Sequence, residues 1–339
     1  MTGRPRVTEP VAAVAVFLTV AALPVLVSFN PYYLSILVGA LLLGAVALAW
    51  NLLAGRCGQV SFGHAGFFGI GAYASAILSM RAGWSPYLAM PAAGLVGVAF
   101  AILIGIPAFK LRGPYFALAI LGFAEVVKLV AQNLDALTGG SQGLFNVPPP
   151  PAIRVGAIRL DFAASRTTNY YLAALLMLGV YLACLVLERS RTGVAMATVH
   201  ADEETASGIG VAVQRTKAIA LAVSAFCTAV AGAFYAHYVH YLAPDAAFDG
   251  SWSVMPIVSS LFGGMSTLVG PGVGALVITG LDEFVFKRLF ETGHQLFFGL
   301  LLALVIVWAP SGLLGGRIRN VLRRAPRRRE VAGAARLDA

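Results

Sequence analysis

Seven stretches of about twenty residues run through this chain almost without charge: Val11–Phe29, Tyr33–Leu53, Val60–Met80, Pro86–Ala108, Pro114–Asn133, Tyr170–Leu187 and Lys217–His240. Each has the length at which a helix, rising ~1.5 Å per residue, crosses the ~30 Å hydrocarbon core of a bilayer. A water-soluble core has no room for so much apolar surface. Of the 339 residues, 59% are hydrophobic and 12% charged, where a soluble domain carries about 25% charge. The expected fold class is all-α, a polytopic transmembrane helical bundle. The net charge of +9 does not point to nucleic acid, because Arg and Lys gather in short turns and at the C-terminus, as membrane topology requires.

The first run follows Arg4 and Arg6 and reads as a signal peptide or a first transmembrane helix. Its length, Pro24 and its direct passage into a second run favour the helix. Beyond Ser253 come a short run Val254–Phe262, a Gly-rich break, a run near Gly270–Phe290 and a run Gln295–Ala309. With the N-terminus in the cytoplasm, the inner turns hold Arg56, Lys110, Arg112, Arg189, Arg191, Arg215 and Lys217. The outer turns hold Arg81, Arg154, Arg159 and Arg166, a bias that supports this orientation. Keeping the basic stretch Arg317–Arg329 inside requires an odd number of crossings after Pro244–Asp249. The expectation is therefore about ten membrane elements, some short or Gly-broken, with both termini cytoplasmic in a bacterial plasma (inner) membrane. Residues 1–10 form a cytoplasmic arm, 11–315 the membrane domain and 316–339 a basic cytoplasmic tail that contacts membrane lipids.

Two polar segments interrupt the apolar text. Residues 134–169 form an outer loop, in which "AIRVGAIRLDF" alternates about Gly156-Ala157 and reads as a small hairpin or as a loose loop. Residues 188–216 form an inner loop crowded with acids, bases and small residues. Glycines at 58, 63, 66, 69 and 71, and again through "GGMSTLVGPGVGALV", permit close helix packing or broken helices. Glu125 and Lys128 lie three apart on one helix face and are expected to pair inside the membrane. His64 is a candidate pore residue or a hydrogen-bonded packing residue; His237 and His240 fall near the outer interface. Cys57, Cys184 and Cys227 read as plain buried thiols, and no metal site is expected. The sequence contains no G-x-x-x-x-G-K-[ST], G-x-S-x-G or H-E-x-x-H, so no catalytic residue is assigned.

The stretches "GRCGQVSFGHAGFFGIGAY", "LRGPYFALAILGFAEVV", "TGGSQGL", "HADEETASGIGV" and "LFGGMSTLVGPGVGA", in this order over residues 33 to 315, resemble the permease subunits of branched-chain amino-acid ABC importers, most closely the LivM type. The resemblance implies a non-catalytic permease that forms a translocation path for branched-chain or similar small amino acids. It binds no cofactor itself; ATP and Mg belong to partner subunits. The implied partners are a homologous permease subunit in a heterodimer, two cytoplasmic ATPases and a periplasmic or lipid-anchored substrate-binding protein. The inner loop then resembles the EAA loop that docks on the ATPase, with Asp202, Glu203, Ala206 and Gly210 on the family pattern and Thr205 where a small alanine is usual. Ser61, Gly63, His64, Gly66, Tyr115, Phe116, Gly263, Gly264 and Ser266 are candidates for the path or for broken helices. The alternative is an ion-coupled secondary transporter of a small polar solute, for which Glu125 is the clearest buried acid and the inner loop has no task.

Overall fold

A helix enclosed on nearly every side, flanked by two glycine-rich breaks, organises the molecule. The computed structural model describes residues 8–111, 113–155, 158–287, 299 and 312. The chain opens with α1 (Thr8–Leu26) and α2 (Pro31–Cys57). Asn30 caps α2, its side chain accepting from Tyr32 N at 2.9 Å, and Pro31 sits in the first turn, where a missing N–H costs nothing. Then come α3 (His64–Arg81), α4 (Pro86–Ala108) and α5 (Pro114–Asn133). A segment of small elements follows: α6 (Asp135–Thr138), a 3-10 turn, β1 (Leu144–Phe145), β2 (Ile153–Val155) and β3 (Ile158–Leu160). The second half comprises α7 (Arg166–Arg189), α8 (Arg191–Ala201), α9 (Glu203–Gly208), α10 (Val213–Val239), β4 (Tyr241–Leu242), α11 (Pro244–Ala247), α12 (Ser251–Gly263) and α13 (Gly270–Leu281).

Among the described residues helices fall on the expected runs up to residue 281; of the run 295–309 only residue 299 is described, and the tail Arg317–Arg329 lies outside the described residues. Among the described helices, α2, α4, α5, α7 and α10 are long and apolar enough to span. With 13 residues, α12 reaches only ~20 Å, short of the hydrocarbon thickness, because Gly264 at φ +108° leaves helical space. The 12 residues of α13 continue without a break into a π-helical stretch, Asp282–Phe286. The all-α expectation is amended by four strands of two or three residues. β2 and β3 pair antiparallel around positions 156–157, so the hairpin reading of that loop stands. β1 pairs with β4, tying the 134–165 segment to the end of α10.

Lipid tails are as apolar as leucine, so helices in a membrane associate through dispersion contacts and interhelical hydrogen bonds between close-packed surfaces. α2 is buried along most of its length and touches α7, α10, α12 and α13. Ser224 Oγ on α10 donates to Ala49 O at 2.7 Å, and Ser260 Oγ on α12 donates to Ala47 O at 3.2 Å. α3 and α10 cross backbone to backbone. A Cβ added at Gly71 would strike the Ala229 carbonyl, and one at Gly232 the Phe68 carbonyl. The glycines of "GFFGIGAY" therefore serve close helix contact. Tyr170 of α7 donates to Val20 O of α1 at 2.5 Å, and Cys57, Cys184 and Cys227 are free, buried thiols.

Candidate coupling site and membrane break points

One end of the bundle carries α8 and α9, two short helices that share a turn at Asp202. The geometry follows from residue chemistry. Ser190 caps α8, accepting from Gly193 N at 3.4 Å; Asp202 ends α8 and caps α9, accepting from Thr205 N at 2.6 Å. Hydrogen bonds from the Thr205 hydroxyl, and then from its amide, hold the Asp202 carboxyl below the usual carboxylate range. Thr205 thus strengthens the cap. α9 closes at Gly210, with φ +86°. Val211 N donates to Ala206 O at 3.0 Å and Gly210 N to Ser207 O at 3.0 Å, the paired closure that follows a left-handed residue. Ala206 is fully buried, while Ile209 stands 69% exposed at the tip.

The knob is fastened to the membrane part by Glu203. Its carboxylate lies 2.5 Å from Lys217 Nζ at the start of α10 and accepts from Gln59 Nε2 at 3.0 Å. Lys217 is 4% exposed, so its ammonium depends on that carboxylate. Gln59 belongs to the α2–α3 link, and the inner loop is therefore joined directly to the first glycine-rich break. Arg56, at the end of α2, approaches Glu188 of α7 to 3.3 Å as an ion pair and donates to Ser266 O at 3.4 Å.

The two breaks lie on different sides of α2. On one, Trp50 Nε1 donates to Ser61 O at 2.8 Å and holds the 58–63 link back along the helix. On the other, Asn51 Nδ2 reaches Met265 O at 3.4 Å and Thr267 O at 3.5 Å. Irregular backbone inside a membrane survives only where protein satisfies it, and adjacent residues of α2 do so for both. Ser61 Oγ accepts from Gly63 N at 3.3 Å, Gly63 and Gly66 fit against Ile120 and Ala124 of α5, and Phe116 is buried. Gly263 packs on the backbone of Gly270. His64 is fully buried, its Nε2 2.8 Å from Ser224 Oγ. Since Ser224 gives its one proton to Ala49 O, His64 Nε2–H donates to Ser224 Oγ. Of the candidate path residues, Tyr115 and Ser266 are exposed; the others form the contacts that shape the breaks.

Lys128, expected to pair with Glu125, makes its close ion pair elsewhere. Lys128 Nζ lies 2.9 Å from Asp245 Oδ1 of α11, and Gln132 Nε2 donates to the same carboxylate at 3.0 Å. Lys128 falls near the end of α5, within reach of the α11 turn, whereas Glu125 sits on an exposed face and acts on Lys128 only through the longer-range field of its charge. At that same end His237 Nδ1–H donates to Pro148 O at 2.7 Å and Ser75 Oγ donates to His237 Nε2 at 2.8 Å, fixing the 134–165 segment to α3 and α10.

The family model described as the permease component of the branched-chain amino acid transport system matches residues 32–307. The chain belongs to that permease family. A high-affinity branched-chain amino acid transport system permease protein, LivM, of Salmonella typhimurium is 30% identical over 79% of this chain and 67% of its own length. The LivH permease protein of the same system in that organism is 26% identical over 84% and 96%. An autoinducer 2 import system permease protein, LsrC, of an Enterobacter species is 28% identical over 92% and 88%. No solved structure matches. The family makes this chain a membrane permease subunit of the ABC-importer type, in preference to an ion-coupled secondary transporter. In this permease the sequence marked the 188–216 segment as a compact unit, but it concealed Ile209. A single apolar residue in a polar stretch looks the same whether it fills a core or projects from a tip.

Proposed function

We propose that this permease, paired with a homologous subunit, forms the translocation path of an ABC importer for branched-chain or similar small amino acids. The α8–α9 knob docks into a cleft of a cytoplasmic ATPase, a separate binding protein delivers cargo at the opposite end, and ATP hydrolysis takes place on the partner subunits. The observation that carries this reading is the knob itself: a capped helix pair with Ile209 projecting at its tip and Glu203 joining its base to the α2–α3 link. A rigid unit of this kind transmits a push, because packed elements move as bodies.

Ile209→Asp and Gly208→Trp test the docking. Gly208 has open space around it and an ordinary backbone, so neither change strains the fold. Both variants are expected to insert, accumulate normally and retain the partner permease, while losing co-purifying ATPase and uptake. Full ATPase recovery with full uptake contradicts the docking role.

A further inference from the structure

We propose that Glu125 lines the translocation path and receives the ammonium group of the cargo. The placement of one charge carries this inference. α5 packs through Phe116, Ala117, Ile120, Ala124 and Ala131, mainly against α3. The opposite face presents Tyr115, Leu118, Gly122, Glu125 and Leu129, spaced three or four apart and all exposed. Glu125 lies about 16 Å from the Pro114 end of the helix and about 12 Å from the Asn133 end, close to mid-membrane.

An ionised carboxylate at that depth is costly against lipid, so its face meets water or a cation. The nearest cation of its own helix, Lys128, makes its close ion pair with Asp245 and meets Glu125 only through the longer-range field of its charge. Gly122, one turn earlier, leaves open space beside the carboxylate, and Tyr115 and Leu118 extend an apolar wall along the same stripe. A carboxylate on an open face, continued by an apolar stripe, matches a zwitterion with an aliphatic side chain: the ammonium meets Glu125 and the side chain meets the stripe. The assignment rests on the importer reading above.

The test uses the complete importer in membrane fragments open to both sides. Single cysteines replace Leu118, Gly122 and Glu125, with Leu103 of α4, 67% exposed, as the lipid-facing comparison. A small hydrophilic thiol reagent is expected to label positions 118, 122 and 125 but not 103, and leucine is expected to slow labelling at 125. Glu125→Gln is expected to retain ATPase and partner permease while raising the KM for leucine about tenfold, the cost of losing a charge-assisted contact, with kcat little changed. Glu125→Asp recovers part of the loss. A cysteine at 125 that resists the reagent, or a glutamine variant with unchanged KM, overturns the proposal. So does cross-linking of position 125 to the partner permease without leucine protection, which makes the stripe a closed interface. Wild-type protein that takes up no leucine fails at the importer reading instead, and this ligand assignment falls with it.

Discussion

At the residue scale, the two acids at the α8–α9 turn have separate tasks. Asp202 faces solvent and holds the turn, whereas Glu203 faces inward and neutralises a buried amine. Removing Glu203 alone leaves Lys217 buried and unpaired. Because the Glu203 side chain is 42% exposed, water offsets part of the loss, and Glu203→Ala is expected to cost about 2 kcal/mol. Lys217→Met together with Glu203→Gln removes the buried charge and is expected to restore thermal stability in detergent; additive losses instead contradict the strut. For Asp202 the folded carboxyl titrates below the unfolded one. The stabilisation is therefore present above the unfolded carboxylate range and is lost as pH falls through the folded value. The protection of α9 amides from hydrogen exchange, relative to their intrinsic rates at each pH, is expected to fall in acid, and Asp202→Asn to remove that pH dependence. Little of this was legible beforehand. The i,i+3 spacing of Glu125 and Lys128 described only one helix, while the close partner, Asp245, is brought up by α11 from far along the chain.

At the element scale, the apolar runs gave five spanning helices directly, since length and charge scarcity are written locally. The glycines marked where backbones meet, yet not which backbones: Gly71 against Ala229 and Gly232 against Phe68 are tertiary facts. Gly232→Leu has no free volume and must force α3 from α10, so it is expected to lower the yield of folded protein sharply, whereas Gly179→Leu, in open space on α7, is expected to be tolerated. Equal yields contradict the close crossing. Lengths of the broken elements were the hardest to read, because Gly264 and the 58–63 link end helices without a change in hydrophobicity. The short β1–β4 pairing was beyond reach for a different reason, joining strands far apart in sequence by backbone bonds alone.

At the scale of the whole molecule, the account places the α8–α9 knob in the cytoplasm and the β2–β3 hairpin on the other side. Cysteines at Ile209 and Phe145 are expected to react with impermeant reagents from opposite faces, and labelling of both from one face contradicts the orientation. The most direct trial of the central claim is uptake by vesicles holding the complex purified through this chain. Leucine accumulation is expected to require ATP at the knob-bearing side and to persist when ionophores collapse every ion gradient. Uptake that follows an imposed ion gradient without ATP contradicts the account.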